Sequence, residues 1–297
     1  MNKIVVITYN ILSSNLAKLM IDNNSYTNEI MNDTYRFKLI LDYINKQIIK
    51  FSKYNLIICL QEVIEEQIIL FAEFFNKNNF KYINIQHGRV FNGNMGVLIA
   101  YTDRLKIINS DIFNVGQHID PIDDISTKAS TKSNCAIYCI FESIKRPDLR
   151  FGIITYHMPC EPTIQEIALL HCKTLYAHIK KFMKGINWIF AGDFNMMNDA
   201  LGYKYLSTRK DIGCIWKDTL NYYPITNHAL ISNKEFAGCI DYIFYKKGNQ
   251  LINKKYIKYR KSNLICQKIK VKKLINVIPD LDNPSDHIPI LAIFTLD

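Results

Sequence analysis

Polar side chains stand at the ends of several apolar, strand-like runs of the 297-residue sequence, where burial would favour apolar residues. They are Asn10 after VVITY, Glu62 after IICLQ, His157 after GIITY, Asp193 and Asn195 after WIFAG, Asp241 before YIFY, and Asp286 with His287 before IPILAIF. Each one alone is explained as a turn, capping or core residue. Together they predict a catalytic site, because catalytic groups gather on loops at the edge of a rigid scaffold.

The residue types in this set indicate the chemistry. Carboxylates and a carboxamide are hard oxygen ligands, which suit Mg²⁺, or Mn²⁺ as the alternative, better than Zn²⁺. The sequence contains no CxxC or HxxxH pair that would form a zinc site. Histidines and acids beside such a metal are typical of phosphoryl transfer, so water attacking a phosphoester is the expected reaction. A serine triad is disfavoured, because there is no GxSxG motif and Ser285 fits a turn.

The elements that must position these residues are mostly strands. Runs of strand-like length and β-branched content recur as KIVVITYN, NLIICLQEV, KYINIQ, MGVLIAY, NCAIYCIFE, RFGIITYHM, NWIFAGDFN, IDYIFY, KIKVKKLI and PILAIFTL. Helical periodicity predicts helices over 35–51, 64–76 and 163–184, the last with Thr163 as its cap. We therefore expect two packed sheets with helices on their outer faces, in one domain over residues 1–297.

The composition is that of a folded globular protein, with 48% hydrophobic and 12% aromatic residues. No apolar run is long enough to span a membrane, and the N-terminus lacks the pattern of a secretory signal. The eight cysteines lie singly, mostly within apolar runs, which predicts reduced and buried thiols. We expect a soluble protein that is not secreted and lies in the cytoplasm, with the nucleus as the alternative.

Positive charge is concentrated near the C-terminus. The net charge is +10, and residues 246–279 hold eleven Lys or Arg and no Asp or Glu. The lysines and arginine of residues 246–273 could form a phosphate-binding surface for nucleic acid or for an anionic bilayer. The alternative is the solvated face of an edge strand, because QKIKVKKLI alternates Lys with apolar residues.

Six motifs in order along the chain resemble those of one superfamily. TYNIL, LQEV, TYHM, GDFN, IDYIFY and PSDHIP are similar to the motifs of the endonuclease/exonuclease/phosphatase superfamily, the DNase I-like metal-dependent phosphoesterases. The resemblance covers nearly the whole chain. It implies a four-layer α/β sandwich of two mixed sheets flanked by helices, and an enzyme that hydrolyses phosphoric esters.

The resemblance also implies which residues bind the metal and the phosphate. Glu62 resembles the principal metal ligand of the family, and Asn10 and Asp286 would support the metal or its water. His157 resembles the histidine that stabilises charge on a nonbridging phosphate oxygen.

The remaining motif residues resemble the groups that move or orient protons. Asp193 would orient or deprotonate the attacking water or assist the leaving group, and Asn195 would hold the phosphate and the acid in register. His287 is similar to the second phosphate-contacting histidine. Asp241 resembles the orienting partner of that histidine. Neighbouring residues of an extended segment point to opposite sides, which disfavours Asp286, so we expect Asp241 to hydrogen-bond the His287 ring.

Similarity to one branch of the superfamily indicates the class of substrate. PITNHALISNKEFAGCIDYIFY is most similar to the branch of Ccr4-type deadenylases, nocturnin and Angel proteins. In the deadenylases a proline and a phenylalanine hold the adenine base between them, and Pro162 and Phe236 stand in those positions. The resemblance thus implies a Mg²⁺-dependent 3′ exonuclease on single-stranded RNA that prefers adenine. The alternative for these two residues is structural, with Pro162 starting a helix and Phe236 packing in the sandwich.

Other substrates stay open at this stage. Relatives with the same core act on small adenine nucleotides, on abasic or tyrosyl-linked DNA ends, or on sphingomyelin. A degenerate member that only binds nucleic acid is a further alternative. Retention of Glu62, Asp193, Asn195 and His287 argues against it, because a pure binder would be free to lose them.

Overall fold

The computed structural model describes residues 3–22, 26–231, 234–248, 264–270 and 276–296. The described strands are β1 (Lys3–Asn10), β2 (Asn55–Val63), β3 (Phe80–Gln86), β4 (Gly96–Thr102), β5 (Leu105–Asn114), β6 (Cys135–Ser143), β7 (Arg146–His157), β8 (Asn187–Asp193), β9 (Ile212–Cys214), β10 (Asn227–Ile231), β11 (Lys234–Gly238), β12 (Asp241–Lys246), β13 (Leu264–Lys270) and β14 (Ile290–Leu296). The described α-helices are α1 (Ser14–Asp22), α2 (Asp33–Lys50), α3 (Glu65–Lys77), α4 (Asp124–Ser130), α5 (Gln165–Phe182) and α6 (Leu201–Ser207).

The strands form two mixed sheets and a separate hairpin. The first sheet has the order β13-β14-β1-β2-β4-β3, and the second has the order β5-β6-β7-β8-β12-β9. β1 runs parallel to β2, and β7 runs parallel to β8, while the other pairings within the sheets are antiparallel. β10 and β11 form a two-stranded sheet just before β12 in the chain, and Asn227 of β10 also forms an isolated antiparallel bridge with His287.

Alternation along the strands explains the layers. In β1, Val6 faces the core between the sheets, whereas Val5 and Ile7 face a second core beneath the helices. α2 and α3 bury apolar residues such as Ile40 and Phe71 in that second core, and α5 packs on the second sheet. Successive strand residues point to opposite faces, so each sheet buries both faces. The predicted four-layer α/β sandwich is confirmed.

Some element boundaries differ from the expected ones. Helix α5 begins at Gln165 rather than Thr163, because Ile164 N donates to Glu161 O and the chain makes a turn first. Ile164, and not Thr163, precedes the helix, without a side-chain capping bond. The sequence patterns did not identify β5, β9, the β10–β11 hairpin, α1, α4 or α6. β5 is an edge strand with several exposed side chains, so its apolar alternation is weak.

The basic segment is described only in part. β13 is an edge strand of the first sheet, which agrees with the edge-strand alternative for 264–270. Residues 249–263 and 271–275 lie outside the described residues, and with them most of the predicted phosphate-binding surface at 246–273. Within the described part of the chain, no helix is both long and apolar enough to cross a membrane. No cysteine among the described residues forms a disulfide, and all of them are buried except exposed Cys160 and half-buried Cys266.

Candidate active site

The sheet registers bring the predicted polar residues together at one end of the sandwich. Asn10 lies beside Gln61 where the parallel strands β1 and β2 end. In the second sheet His157 lies beside Asp193, which also pairs with Asp241 of the antiparallel strand β12. Because β1 and β2 pack on β7 and β8, the polar ends of the two sheets meet.

Glu62 is held in an unusual backbone conformation. Its φ is +61°, and the register between β2 and β4 shifts between Gln61 and Val63, so the strand bulges at Glu62. Both carboxylate oxygens have donors: Asn10 Nδ2 lies 2.8 Å from Oε1, and Ser13 N lies 2.8 Å from Oε2. The bulge and these two hydrogen bonds fix the direction of the Glu62 carboxylate.

Asp193 is buried at the centre of the site. Asn10 Nδ2 donates to its Oδ2 at 2.9 Å, and Asn195 N donates to its Oδ1 at 2.8 Å. Burial raises the pKa of Asp193, and the nearby His287 opposes that rise. Asn10 therefore bridges Glu62 and Asp193, and its own Oδ1 accepts from Leu12 N at 3.0 Å.

His157 is neutral in this arrangement. Asn195 Nδ2 donates to Met158 O at 2.9 Å, which fixes the orientation of the amide. The same nitrogen lies 3.1 Å from His157 Nε2, so Nε2 accepts a hydrogen bond from Asn195. Burial lowers the pKa of His157, which favours the same neutral form. Its Nε2 lies 3.5 Å from Asp193 Oδ2 and 3.8 Å from Glu62 Oε1.

The His287 ring lies between two buried aspartates. Its Nδ1 is 2.8 Å from Asp241 Oδ2, and its Nε2 is 3.6 Å from Asp193 Oδ2. The adjacent Asp286 comes only within 4.0 Å of Nε2, so the ring pairs with Asp241 as expected from the sequence. Burial alone would lower the pKa of His287, but Asp241, Asp193 and Asp286 outweigh it and raise the pKa well above its usual value. The imidazolium form is therefore favoured at neutral pH.

The donor set fits a hard divalent cation. Glu62, His157 and Asp193 offer ligand atoms within 4.8 Å of one another, and Asp193, Asp241 and His287 form a second such group. Four buried carboxylates, those of Glu62, Asp193, Asp241 and Asp286, share this site. A divalent cation would balance that charge, and carboxylate oxygens are the ligands that Mg²⁺ prefers. Asp286 faces the same cavity but lies apart from both groups, with Asn227 Nδ2 3.2 Å from its Oδ2.

A cavity of about 930 Å³ is lined by six of the predicted residues, namely Glu62, His157, Asp193, Asn195, Asp286 and His287, whereas Asn10 and Asp241 lie behind them. Pro162 and Phe236 also line it, Pro162 in the turn before α5 and Phe236 on β11. Lys128 and Lys132 line the cavity as well, and both pair with the single carboxylate of Glu161. The cavity therefore combines a buried acidic floor with apolar and cationic groups.

The sequence matches the Endonuclease/Exonuclease/phosphatase family over residues 7–287. The chain belongs to this family. Members of the endonuclease/exonuclease/phosphatase family are divalent-metal-dependent phosphoric ester hydrolases, and the chain is an enzyme of that class.

Individual relatives agree with the branch predicted from the motifs. The probable CCR4-Not complex 3′-5′-exoribonuclease subunit Ccr4 of Enterocytozoon bieneusi (strain H348) is 27% identical over 209 residues. That match covers 64% of this chain, and the chain spans only 40% of the relative's length. The human nocturnin catalytic domain has a TM-score of 0.71 at 18% identity, with 100% of this chain and 95% of that chain covered. ANGEL2, a 2′,3′-cyclic phosphatase, has a TM-score of 0.74 at 18% identity, with 99% and 96% covered. These two likenesses show a shared fold.

Two buried residues in this family member were not singled out from the sequence. His87 lines the cavity, and burial lowers its pKa to about 3, with His157 contributing to the shift. Within the described residues its Nε2 has no hydrogen-bond partner. The other residue is Arg36, which belongs with Ile40 and Ile44 to the buried stripe of α2. Arg36 could have been found from the sequence, because it is a charged residue at the helical spacing of the apolar Ile40 and Ile44. No sequence pattern marks His87.

Arg36 joins two loops of the site. Its Nη2 donates to Ile11 O at 2.9 Å and Leu12 O at 2.6 Å, directly after Asn10. Its Nε donates to Pro284 O at 2.6 Å, two residues before Asp286. One buried guanidinium thus fixes the loop after β1 to the segment before β14.

Proposed function

We propose that the chain is a Mg²⁺-dependent phosphodiesterase that hydrolyses RNA, acting as a 3′ exonuclease with a preference for adenine. The observation that carries this proposal is the shared cavity, in which Glu62, His157, Asp193 and His287 lie together with Pro162 and Phe236. The name of the Enterocytozoon bieneusi relative, a probable 3′-5′-exoribonuclease subunit, supports the same activity.

Glu62 is proposed as the principal metal ligand. Asn10 would support it by holding the Glu62 and Asp193 carboxylates through its amide nitrogen, and Asp286 would contact the metal or its water from the other side. When bound, Mg²⁺ would neutralise phosphate charge and increase the acidity of water. The carboxylates fit this ion because they are hard ligands.

The proton-handling groups are proposed to be Asp193 and His287. Asp193 would accept a proton from the attacking water, because its raised pKa makes it a better base than an exposed aspartate. His287, kept protonated by Asp241, would donate through Nε2 to a nonbridging phosphate oxygen. His157 would contribute a second, neutral hydrogen bond to the phosphate through its Nδ1–H, because Asn195 holds the ring by donating to Nε2.

The adenine preference rests on Pro162 and Phe236. Both present apolar surface to the cavity, and stacking contributes roughly 1–3 kcal/mol per base. Lys128 and Lys132 share the single Glu161 carboxylate, so one positive charge is left for a phosphate. A small adenine nucleotide is the second candidate substrate, because ANGEL2 has the same fold and was solved with adenosine-2′,3′-vanadate.

The test is a substrate panel with Mg²⁺: 5′-labelled poly(A), mixed-sequence RNA, single-stranded DNA, abasic duplex, tyrosyl-DNA, an adenine dinucleotide and sphingomyelin. Shortening of poly(A) from its 3′ end, lost in Glu62→Ala and on chelation by EDTA, supports the proposal. Glu66→Ala serves as the matched control, because Glu66 is exposed in the first turn of α3. Rapid turnover of the dinucleotide without any RNA hydrolysis would replace the proposal with the second candidate.

A further inference from the structure

The connection between β3 and β4 forms a wall of the cavity to which the family motifs assign no role. His87, Gly88, Arg89, Phe91, Asn92 and Met95 line the cavity from this connection. It belongs to the first sheet, whereas Phe236 lies on the hairpin that precedes β12 of the second sheet. The cavity thus has two walls that come from different sheets.

The connection over 87–95 is fixed by its own hydrogen bonds. His87 N and Gly88 N both donate to Met95 O, at 3.2 and 2.7 Å, and Arg89 N donates to the buried Asn92 Oδ1 at 2.8 Å. A Cβ at Gly88 would lie 2.4 Å from Asn92 Oδ1, so the tight approach requires glycine. The backbone that carries the exposed side chains of this segment is therefore preorganised, which reduces the entropy lost when they bind a ligand.

The side chains on this wall match the parts of a nucleotide. Phe91 is 64% exposed and offers an aromatic face, with Leu16 and Met20 of α1 extending the apolar surface beside the cavity. Arg89 is exposed and offers a cation. His87 also lines the cavity, and its buried Nε2 has no partner among the described residues.

We propose that residues 87–95 form a second nucleotide subsite, in which Phe91 stacks on the base next to the one held by Pro162 and Phe236. Arg89 pairs with a phosphate of that nucleotide. The inference rests on the proposed function, because it assumes a substrate of at least two nucleotides. A cavity of about 930 Å³ lies at the upper end of the range of roughly 300–1,000 Å³ for small-molecule sites, which suits two nucleotide units better than one.

The experiment measures binding by calorimetry with Mg²⁺ present. The ligands are AMP and a diadenosine analogue in which a methylene group replaces the oxygen of the scissile P–O bond, so that it cannot be hydrolysed there. Wild type should bind the dinucleotide more tightly than AMP. Phe91→Ala should weaken dinucleotide binding about five- to tenfold and leave AMP binding unchanged, since one stacking contact is lost. Phe91→Tyr should retain wild-type binding.

Val90→Ala is the matched control, because Val90 is the neighbouring residue, is 82% exposed and is not among the cavity-lining residues. Equal weakening of AMP and dinucleotide in Phe91→Ala, no weakening of either, or the same loss in Val90→Ala would overturn the subsite. Equal binding of the two ligands by wild type would overturn it as well. RNA hydrolysis by wild type is assayed in parallel. Phe91-dependent dinucleotide binding without RNA hydrolysis would refute the proposed function alone, and hydrolysis with Phe91-independent binding would refute the subsite alone.

Discussion

Replacing Asp241 with Asn isolates the charge that acts on His287. The two side chains are buried, and Asp241 Oδ2 lies 2.8 Å from His287 Nδ1. Asn has nearly the same shape, so the substitution removes the charge and leaves the packing. A hydrogen bond between charged groups contributes about 1.5–3 kcal/mol, which corresponds to a shift of about 1–2 units in the pKa of the ring. The same energy corresponds to a roughly 10- to 150-fold loss in kcat/KM if the imidazolium stabilises the transition state.

The pH profile distinguishes this role from a structural one. The aspartates raise the pKa of His287, so its protonated form persists to high pH in wild type. In Asp241→Asn the ring loses its proton at lower pH, and the alkaline limb of kcat/KM should move down by about 1–2 pH units. The assay is hydrolysis of the best substrate from the panel between pH 5 and pH 10. A drop in activity with an unmoved alkaline limb would refute the reasoning.

A matched control lies on the neighbouring hairpin. Glu235 Oε1 lies 2.7 Å from His228 Nε2, nearly the same carboxylate–imidazole distance, but the Glu235 side chain is 62% exposed. Glu235→Gln removes the same charge from a solvent-screened pair outside the acidic cluster. We expect its pH profile to match that of wild type, because exposed ion pairs contribute at most about 1 kcal/mol.

Three further predictions concern stability and specificity. Arg36→Met should lower the free energy of unfolding in urea by about 3 kcal/mol or more, because the carbonyl of Pro284 and two others lose their buried donor. Arg146→Met, which removes an exposed ion pair with Asp148, should have a much smaller effect, and similar losses in the two variants would contradict the role of Arg36 in holding the two loops together. Burial lowers the pKa of His171 to about 4 in the folded chain. The unfolded chain therefore binds the proton more readily, and the free energy of unfolding falls as the pH drops below 6.5, the ordinary pKa of histidine. The wild-type free energy of unfolding should fall by about 2 kcal/mol between pH 7 and pH 5 because of this group. In urea unfolding, the free energy of His171→Gln should fall by that much less over the same range. Identical pH dependence in the two proteins would exclude His171 as the source. Phe236→Ala should lower the ratio of kcat/KM for poly(A) to that for poly(U), and an equal loss on both polymers would mean that Phe236 is structural.

The convergence of the site residues was predictable from the sequence. Polar residues such as Asn10 and His157 interrupt strands that are otherwise apolar, and parallel neighbours must end at the same edge of a sheet. Side-chain alternation turned Asp286 away from the His287 ring, and the resemblance to the family supplied Asp241 as the partner. Local spacing and the order of the motifs along the chain made the fold class and the cluster of residues accessible.

Other parts of the site depend on tertiary contacts that spacing does not encode. Arg36 acts on carbonyls that lie 24, 25 and 248 positions away in the chain. His87 reaches the cavity because a short connection folds over Gly88. The start of α5 was misjudged for a related reason, since Thr163 has the residue type of a cap but lies inside a turn that begins at Glu161. In these cases the local structure depends on backbone geometry and tertiary contacts, and not on the preference of the residue type.

Backbone strain is concentrated where the chemistry is placed. Of the six non-glycine residues with positive φ in the described chain, four are Asn, which tolerates this conformation, and the other two are Leu12 and Glu62. A residue in this conformation raises the free energy of the folded state by on the order of 1–3 kcal/mol, and it persists only where the surrounding contacts hold it in place. Arg36 donates to the carbonyl of Leu12, and Asn10 and Ser13 donate to the carboxylate of Glu62. The hydrogen bonds from Asn10 and Ser13 therefore both hold Glu62 in its strained conformation and fix the direction of its carboxylate. Loosening either of them should relax the backbone and misdirect Glu62 together, so we expect stability and metal affinity at this site to change in parallel.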